Sequence, residues 1–224
     1  QDAEAKMVIT SDGLIRGSKK LLLRDIVADG ISNCPSITTI LTIQHTGDKV
    51  KTNHLDKWYH EEIMTVDTIC EPAEMDSEDE LFILYTSGST GKPKGVVHSC
   101  GGYMVYADYS FRNVFQHQEG DIFWCTADVG WITGHSYIVY GPLLAGTTCV
   151  MFEGVPTYPA EDRFWQVIEK HKVNQFYTAP TAIRALMAAG NQHPDKYSMD
   201  SLKVIGSVGE PINAEAWEWY NKHV

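Results

Sequence analysis

The sequence predicts an α/β fold in which mostly parallel strands are covered by helices. Two observations predict it. Strand-like and helix-like segments alternate along the chain without an internal repeat, and 43% hydrophobic residues in 224 are enough to build one or two cored domains. Parallel strands need a crossover between them, and helices supply it.

The elements follow from local pattern. Met7-Val8-Ile9-Thr10 reads as a strand, Lys20 to Ala28 as a helix, Ile37 to Ile43 as a β-branched strand and Asp56 to Met64 as a helix. Glu71 to Glu80 is dense in carboxylates and holds Pro72, so it reads as a solvated connector. It divides the chain into a partial α/β region (1–70), the connector (71–80) and a second α/β region (81–224). In the second region Leu81–Tyr85 and Gly95–His98 read as strands flanking a loop. Helices are expected at Gly102–Phe115, Gly134–Leu144, Glu161–Lys172, Thr181–Ala189 and Ala214–Lys222. Strands are expected at Asp121–Thr126, Thr147–Phe152 (buried), Gln175–Thr178 and Leu202–Val208.

The loop Thr86 to Gly95, TSGSTGKPKG, is the most specific chemical signal. It lies in the window Leu81 to Ala107, which has no Asp or Glu but carries Lys92, Lys94 and His98, on a chain of formal net charge -11. An anionic ligand is repelled almost everywhere else. Gly88, Gly91 and Gly95 let backbone N–H groups approach a ligand, while Thr86, Ser87, Ser89 and Thr90 add hydroxyl donors. A phosphate-loop NTPase motif needs four residues between its glycines and Ser or Thr after the Lys. Here two residues separate Gly88 from Gly91 and Pro93 follows Lys92, so that motif is not met. The apolar flanks place the loop between two strands and argue against a free surface linker.

The ten-residue loop resembles the phosphate-loop signature of the adenylate-forming enzymes. The resemblance continues through Asp128-Val129-Gly130-Trp131-Ile132-Thr133-Gly134-His135, Tyr177-Thr178-Ala179-Pro180-Thr181 and Gly206-Ser207-Val208-Gly209-Glu210-Pro211. These blocks, in this order, are similar to those of the acetyl-CoA synthetases, nearly continuously from Leu81 to the end and more loosely before it. The resemblance implies part of the large N-terminal domain of such an enzyme, with the small C-terminal domain absent. It also implies an AMP-forming ligation of acetate to CoA with ATP and Mg2+, in which an acetyl-adenylate forms first. A fragment of this kind is expected to be inactive alone. A propionyl-CoA or other short-chain synthetase, or a non-catalytic nucleotide-binding fragment, stays open.

Site residues follow from the same resemblance. Thr86 and Lys94 are the implied catalytic pair, and Thr86, Ser87, Gly88, Ser89, Thr90, Gly91, Lys92 and Lys94 with Gly209, Glu210 and Pro211 are the implied ATP contacts. Trp131, Ile132, Thr133 and Val208 would line the acyl pocket; by themselves Trp131 and Ile132 read equally well as core. One methylene is worth only about 1–3 kcal/mol in such a pocket, so propionate stays open too. Arg16-Gly17-Ser18-Lys19 stands where the family has an Arg-x-x-Arg element for the phosphates of CoA, with Lys replacing the second Arg, which keeps charge but loses the bidentate fork. A solvated basic loop fits as well. Thr133 and Thr157 are the other CoA contacts implied, Thr157 standing where the family often has Asn.

Other readings concern partners and compartment. Five cysteines, Cys34, Cys70, Cys100, Cys125 and Cys149, are widely spaced, so reduced thiols in the cytoplasm or the mitochondrial matrix are expected. Ser136 to Phe152 is too short and too interrupted for a membrane span, and the acidic balance argues against nucleic acid. The nine histidines show no metal-ligand spacing. Acetate, ATP and CoA are the partners implied, and no protein partner is readable.

Overall fold

A computed structural model of the chain describes residues 2–86 and 91–224. They form two compact units, Gln1–Pro72 with Glu153–Val155, and Ala73–Phe152 with Pro156–Val224.

In the first unit, strands β1 (Met7–Ser11), β4 (Thr39–Ile43) and β5 (Asp56–Trp58) form a parallel sheet in the order β1-β4-β5. Between β1 and β4 lie an antiparallel hairpin, β2 (Leu14–Arg16) with β3 (Lys19–Leu21), and helix α1 (Leu23–Gly30). Two expectations need correction. The helix read from Lys20 begins only at Leu23, because Lys20 and Leu21 pair with Ile15 and Leu14; Leu22 offers no capping side chain that would mark the start. The helix read over Asp56–Met64 is a strand to Trp58, the short helix α2 (Tyr59–Glu62) and a 3-10 turn. Asp56 resembles a helix cap in sequence, but its carboxylate instead takes the fully buried Arg24 at 2.6 Å through both Nε and Nη2, and the N–H of Asn53 at 2.6 Å.

The second unit is built on a four-stranded parallel sheet, β11-β10-β8-β9, from β8 (Ile122–Cys125), β9 (Thr148–Cys149), β10 (Gln175–Thr178) and β11 (Val204–Ser207). Strand alternation covers both faces. Phe123 and Cys125 point into a cluster with Phe111 of α3 (Cys100–Val114) and Phe115 just beyond its end. Trp124 and Phe176 point the other way, among Phe164, Trp165 and Ile168 of α6 (Arg163–His171), Ile183 and Leu186 of α7 (Pro180–Ala189), and Trp219 and Tyr220 of α8 (Ala214–His223). Truncating the fully buried Trp124 would cost about 3–5 kcal/mol.

Two further segments differ from expectation. The strand read over Thr147–Phe152 pairs only at Thr148 and Cys149, and Met151 is 86% exposed, so this is a short edge. The helix read over Gly134–Leu144 begins earlier and is composite: α4 (Ile132–Gly134), a π-helical turn (His135–Tyr140) and α5 (Gly141–Leu144). The acidic stretch is exposed, as read, yet ordered where it meets α3. Its carbonyls at Asp79 and Ser77 accept the N–H groups of Cys100 and Gly101, satisfying helix donors that have no partner within the helix.

Candidate active site

Strands β6 (Glu80–Thr86) and β7 (Lys94–Ser99) form an antiparallel hairpin whose last pair is Thr86 opposite Lys94. The loop therefore joins two strands, and the two residues expected to be catalytic sit directly across its mouth. Gly91, at φ +82, and Lys92 follow on the return side. Ser87, Gly88, Ser89 and Thr90 lie outside the described residues. Both lysines are exposed, and among the described residues neither has a carboxylate partner. Among the described residues they are thus unpaired cations.

The face of the hairpin that carries Thr86 and Lys94 also carries Leu84, Val96, Phe82 and His98, by two-residue alternation. Phe82 anchors it. Its ring lies 4.7 Å from His98, 4.8 Å from Tyr103 of α3, 4.9 Å from His135 and 5.8 Å from Tyr140, the last stacked. The Nδ1–H of His135 donates to the carbonyl of Trp131 at 3.0 Å. The β6–β7 hairpin is thereby tied to the block Trp131-Ile132-Thr133, which follows β8 and enters α4.

That block is positioned by backbone. The carboxylate of Asp128 accepts the N–H of Gly130 at 2.7 Å, and the carbonyl of Asp128 accepts the N–H of Trp131 at 3.1 Å. Gly134 lets this loop lie against the helix start, since a Cβ there would land on the Asp128 carbonyl and 2.5 Å from the Cα of Val129. Trp131 is 68% exposed, Ile132 39%, and Thr133 half-buried, so the three do not close a pocket on their own.

The remaining blocks leave the neighbouring strands at the same edge. After β10, Thr178 Oγ1 meets Thr126 Oγ1 at 2.6 Å, and after β11 the N–H of Val208 donates to the Thr178 carbonyl at 3.0 Å. Val208 is half-buried, while Gly209, Glu210 and Pro211 are exposed. Gly209 holds φ +94, a conformation that side chains disfavour, and turns the chain so that Glu210 meets Arg184 of α7 at 2.8 Å. Three of the four sequence blocks thus leave the carboxyl ends of three adjacent parallel strands, where ligands of such sheets gather. Thr157 lies in an exposed turn of this unit. Burial pushes the thiols of Cys125 and Cys149 up to about 12 and about 11, so neither is a ready nucleophile.

The basic element Arg16-Gly17-Ser18-Lys19 belongs to the first unit, as the turn of the β2–β3 hairpin, with Arg16 paired to Lys19 and Gly17 at φ +63. Both basic side chains are exposed, and neither has a carboxylate partner among the described residues. Sequence reasoning missed what holds this turn. The buried carboxylate of Asp12 accepts the N–H groups of Gly13, His45 and Thr46 on Oδ1 and of Gly47 on Oδ2, at 2.7 to 2.9 Å. Burial raises its pKa, but the four N–H groups outweigh that and hold it at about 2. It also missed the Phe82 ring cluster and the Arg184–Glu210 pair, which join residues far apart in sequence.

The family model of the AMP-binding enzymes matches residues 1–224. This chain belongs to the AMP-binding enzyme family. Among curated proteins, this AMP-binding enzyme is 57% identical over 98% of its length to an acetyl-coenzyme A synthetase of Magnetococcus marinus, covering 34% of that protein. It is 54% identical over its whole length to acetyl-coenzyme A synthetase 2 of Pseudomonas putida, covering 35% of it. The crystal structure of an acyl-CoA synthetase from Brucella canis shares its fold with a TM-score of 0.78 at 28% identity, over 97% of this chain and 36% of that one. The AMP-binding enzyme chain thus spans about a third of the length of the curated relatives it matches. Among its described residues no helix is long and apolar enough to cross a membrane, and no three His, Cys, Asp or Glu are grouped to hold a metal ion.

Proposed function

We propose that this chain is the part of an AMP-forming acetate–CoA ligase that grips the phosphates of ATP and seats acetate. The observation that carries the reading is identity of 54–57% to acetyl-coenzyme A synthetases across 98–100% of the chain. The geometry supports it, with free lysines at the mouth of a glycine-rich hairpin and three blocks at one carboxyl edge.

A carboxylate is a poor electrophile, and adenylation gives it a good leaving group. An acetate oxygen forms a bond to the α-phosphorus of ATP as the bond from that phosphorus to the β-phosphate bridge breaks, and pyrophosphate departs with the electron pair. The CoA sulfur, having lost its proton, then bonds to the acetyl carbon, and the carbon–oxygen bond to AMP breaks. No covalent enzyme nucleophile is needed. The protein aligns the reactants and neutralises charge on departing pyrophosphate. Thr86 through Lys94 take the phosphates of ATP, which enters as its Mg2+ complex. Gly209, Glu210 and Pro211 contact the adenine side. Trp131, Ile132, Thr133 and Val208 face the acetyl group, and an indole beside β-branched side chains crowds longer acids. Arg16, Gly17, Ser18, Lys19, Thr133 and Thr157 are the CoA contacts. Five widely spaced cysteines, expected as reduced thiols, suit the cytoplasm or the mitochondrial matrix.

Acetate-dependent exchange of labelled pyrophosphate into ATP, run on the full-length protein carrying these residues and on the 224-residue chain, tests the reading. Exchange in the full-length protein alone is expected. Exchange with propionate but not acetate would move the substrate to the three-carbon acid, and none with either would overturn acyl adenylation.

A further inference from the structure

The turn Arg16-Gly17-Ser18-Lys19 is held from below by a network that no motif marks. Asp12 is the residue by which the chain leaves β1 for the β2–β3 hairpin. Its fully buried carboxylate gathers four backbone N–H groups, one from Gly13 at the hairpin base and three from His45, Thr46 and Gly47 in the loop after β4. Its own N–H donates to the Ile43 carbonyl at 3.0 Å, and its carbonyl accepts the N–H of Arg24 in α1 at 3.3 Å. One residue therefore ties β1, the β4 loop and α1 to the root of the hairpin. Gly13 keeps the root tight, since a Cβ there would come within 2.8 Å of Thr46 Oγ1 and 2.9 Å of the Leu21 carbonyl at the end of β3.

A second tie meets the first at His45. Its backbone N–H serves Asp12, and its ring nitrogen Nε2 lies 2.9 and 3.0 Å from the two oxygens of Glu153. Glu153 also accepts the N–H of Ile15 on β2 at 3.3 Å, one residue before Arg16. The hairpin is thus fixed at its root by Asp12 and along its first strand by Glu153.

A buried carboxylate whose two oxygens take four main-chain donors and no cation supplies geometric constraint and leaves its charge to be balanced by N–H dipoles. Arg16 and Lys19 of the turn have no carboxylate partner among the described residues. This is the division of labour expected where two cations must be held ready for a polyanion without being neutralised by the protein itself. We propose that Asp12 and Glu153, joined through His45, are positioning residues that set the Arg16–Lys19 turn for the phosphate groups of CoA. The inference rests on the CoA reading of that turn given above.

The test uses the full-length protein, with two assays that separate the half-reactions. The double variant Arg16→Ala/Lys19→Ala is expected to raise the KM for CoA strongly while leaving acetate-dependent pyrophosphate exchange, which needs no CoA, within about twofold of the parent. Asp12→Asn is expected to do the same, with a rise in KM for CoA on the order of tenfold. Glu153→Gln, at a half-exposed position, is expected to leave the fold intact and to raise it by about threefold. If the double variant responds but Asp12→Asn and Glu153→Gln leave the KM for CoA unchanged, or lower both half-reactions together, the positioning role is overturned while the CoA reading stands. If the double variant itself leaves the KM for CoA unchanged, the CoA reading falls and the inference with it.

Discussion

The two edges of the sheet β11-β10-β8-β9 are built on opposite principles. At the amino edge, Asp121 is 4% exposed and fully engaged. It takes Lys203 at 2.5 Å, the side-chain amide of the buried Gln175 at 2.6 Å and the N–H of Gln118 at 3.0 Å, so the loops entering β8 and β11 are locked to β10. At the carboxyl edge the strand ends themselves carry hydroxyls and main-chain amides, and the Arg184–Glu210 pair beyond them is partly exposed. Thr126 and Thr178 hold one another, Ser207 Oγ is buried with no partner among the described residues, and Gly209 to Pro211 are exposed. A charged network consumes its own hydrogen-bonding capacity and rigidifies, whereas an edge of hydroxyls and amides leaves capacity for a guest. Stability and binding are thereby separated along the same strands.

Four substitutions probe that separation. The largest effect is expected at Lys94, exposed at the mouth of the β6–β7 hairpin. Lys94→Ala should lower acetate-dependent pyrophosphate exchange on the order of a hundredfold or more, with an unchanged melting temperature. A fall in melting temperature matching the loss of exchange would make Lys94 structural. Asp121→Ala should do the reverse, costing about 2 kcal/mol of stability by denaturant titration while the KM values of the folded protein stay put. The same carboxylate carries a pH signature. Burial pushes its pKa up, but Lys203, the Gln118 N–H and Gln175 outweigh that and bring it below 3.8. Its stabilisation is therefore complete above the unfolded value near 3.8 and is lost as pH falls below it, a loss that Asp121→Ala should abolish in acid titrations.

Gly134→Ala comes next. Its methyl group collides with the Asp128–Val129 backbone and should shift Trp131 to Thr133, raising the KM for acetate about tenfold with little change in that for CoA. The smallest effect belongs to Arg184→Ala. The Arg184–Glu210 pair is about 40% exposed on each side, so its loss should cost under about 0.5 kcal/mol of stability and change the KM for ATP by no more than about threefold. A larger change in KM would show that Arg184 orients Glu210 toward the nucleotide.

How legible each part was depended on how local its physics is. The strands on either side of TSGSTGKPKG could be read because apolar runs flank the loop and mark them. Three of the four blocks could be placed at the carboxyl ends of strands because alternation of strands and helices fixes which end of each strand follows which. Asp12 could not be read. Three of its four partners lie 33 to 35 residues away, and all four are main-chain N–H groups, which any non-proline residue at those positions would offer. The hairpin at Leu14–Leu21 was hidden for a different reason. Leu21, Leu22 and Leu23 run together as one apolar stretch, and periodicity cannot divide such a run between a strand and the helix after it. Arg24 and Asp56 look like surface charges in a sequence and become a buried pair only when α1 packs beside β5.

The π-helical turn at His135–Tyr140 sets a phase. Five residues along an ordinary α-helix turn a side chain by about 140° away from its starting direction, so positions 135 and 140 would look to different sides. The wider turn brings both rings onto Phe82. It acts as a single inserted residue that resets the angular count between the part of the helix that begins at the Trp131 block and the part that packs on α3. Deleting one residue, for instance Ile138, would keep the composition, the hydrophobicity and nearly the length of the helix. It would also turn one clamp ring by about 100° off Phe82 and leave the β6–β7 hairpin held on one side.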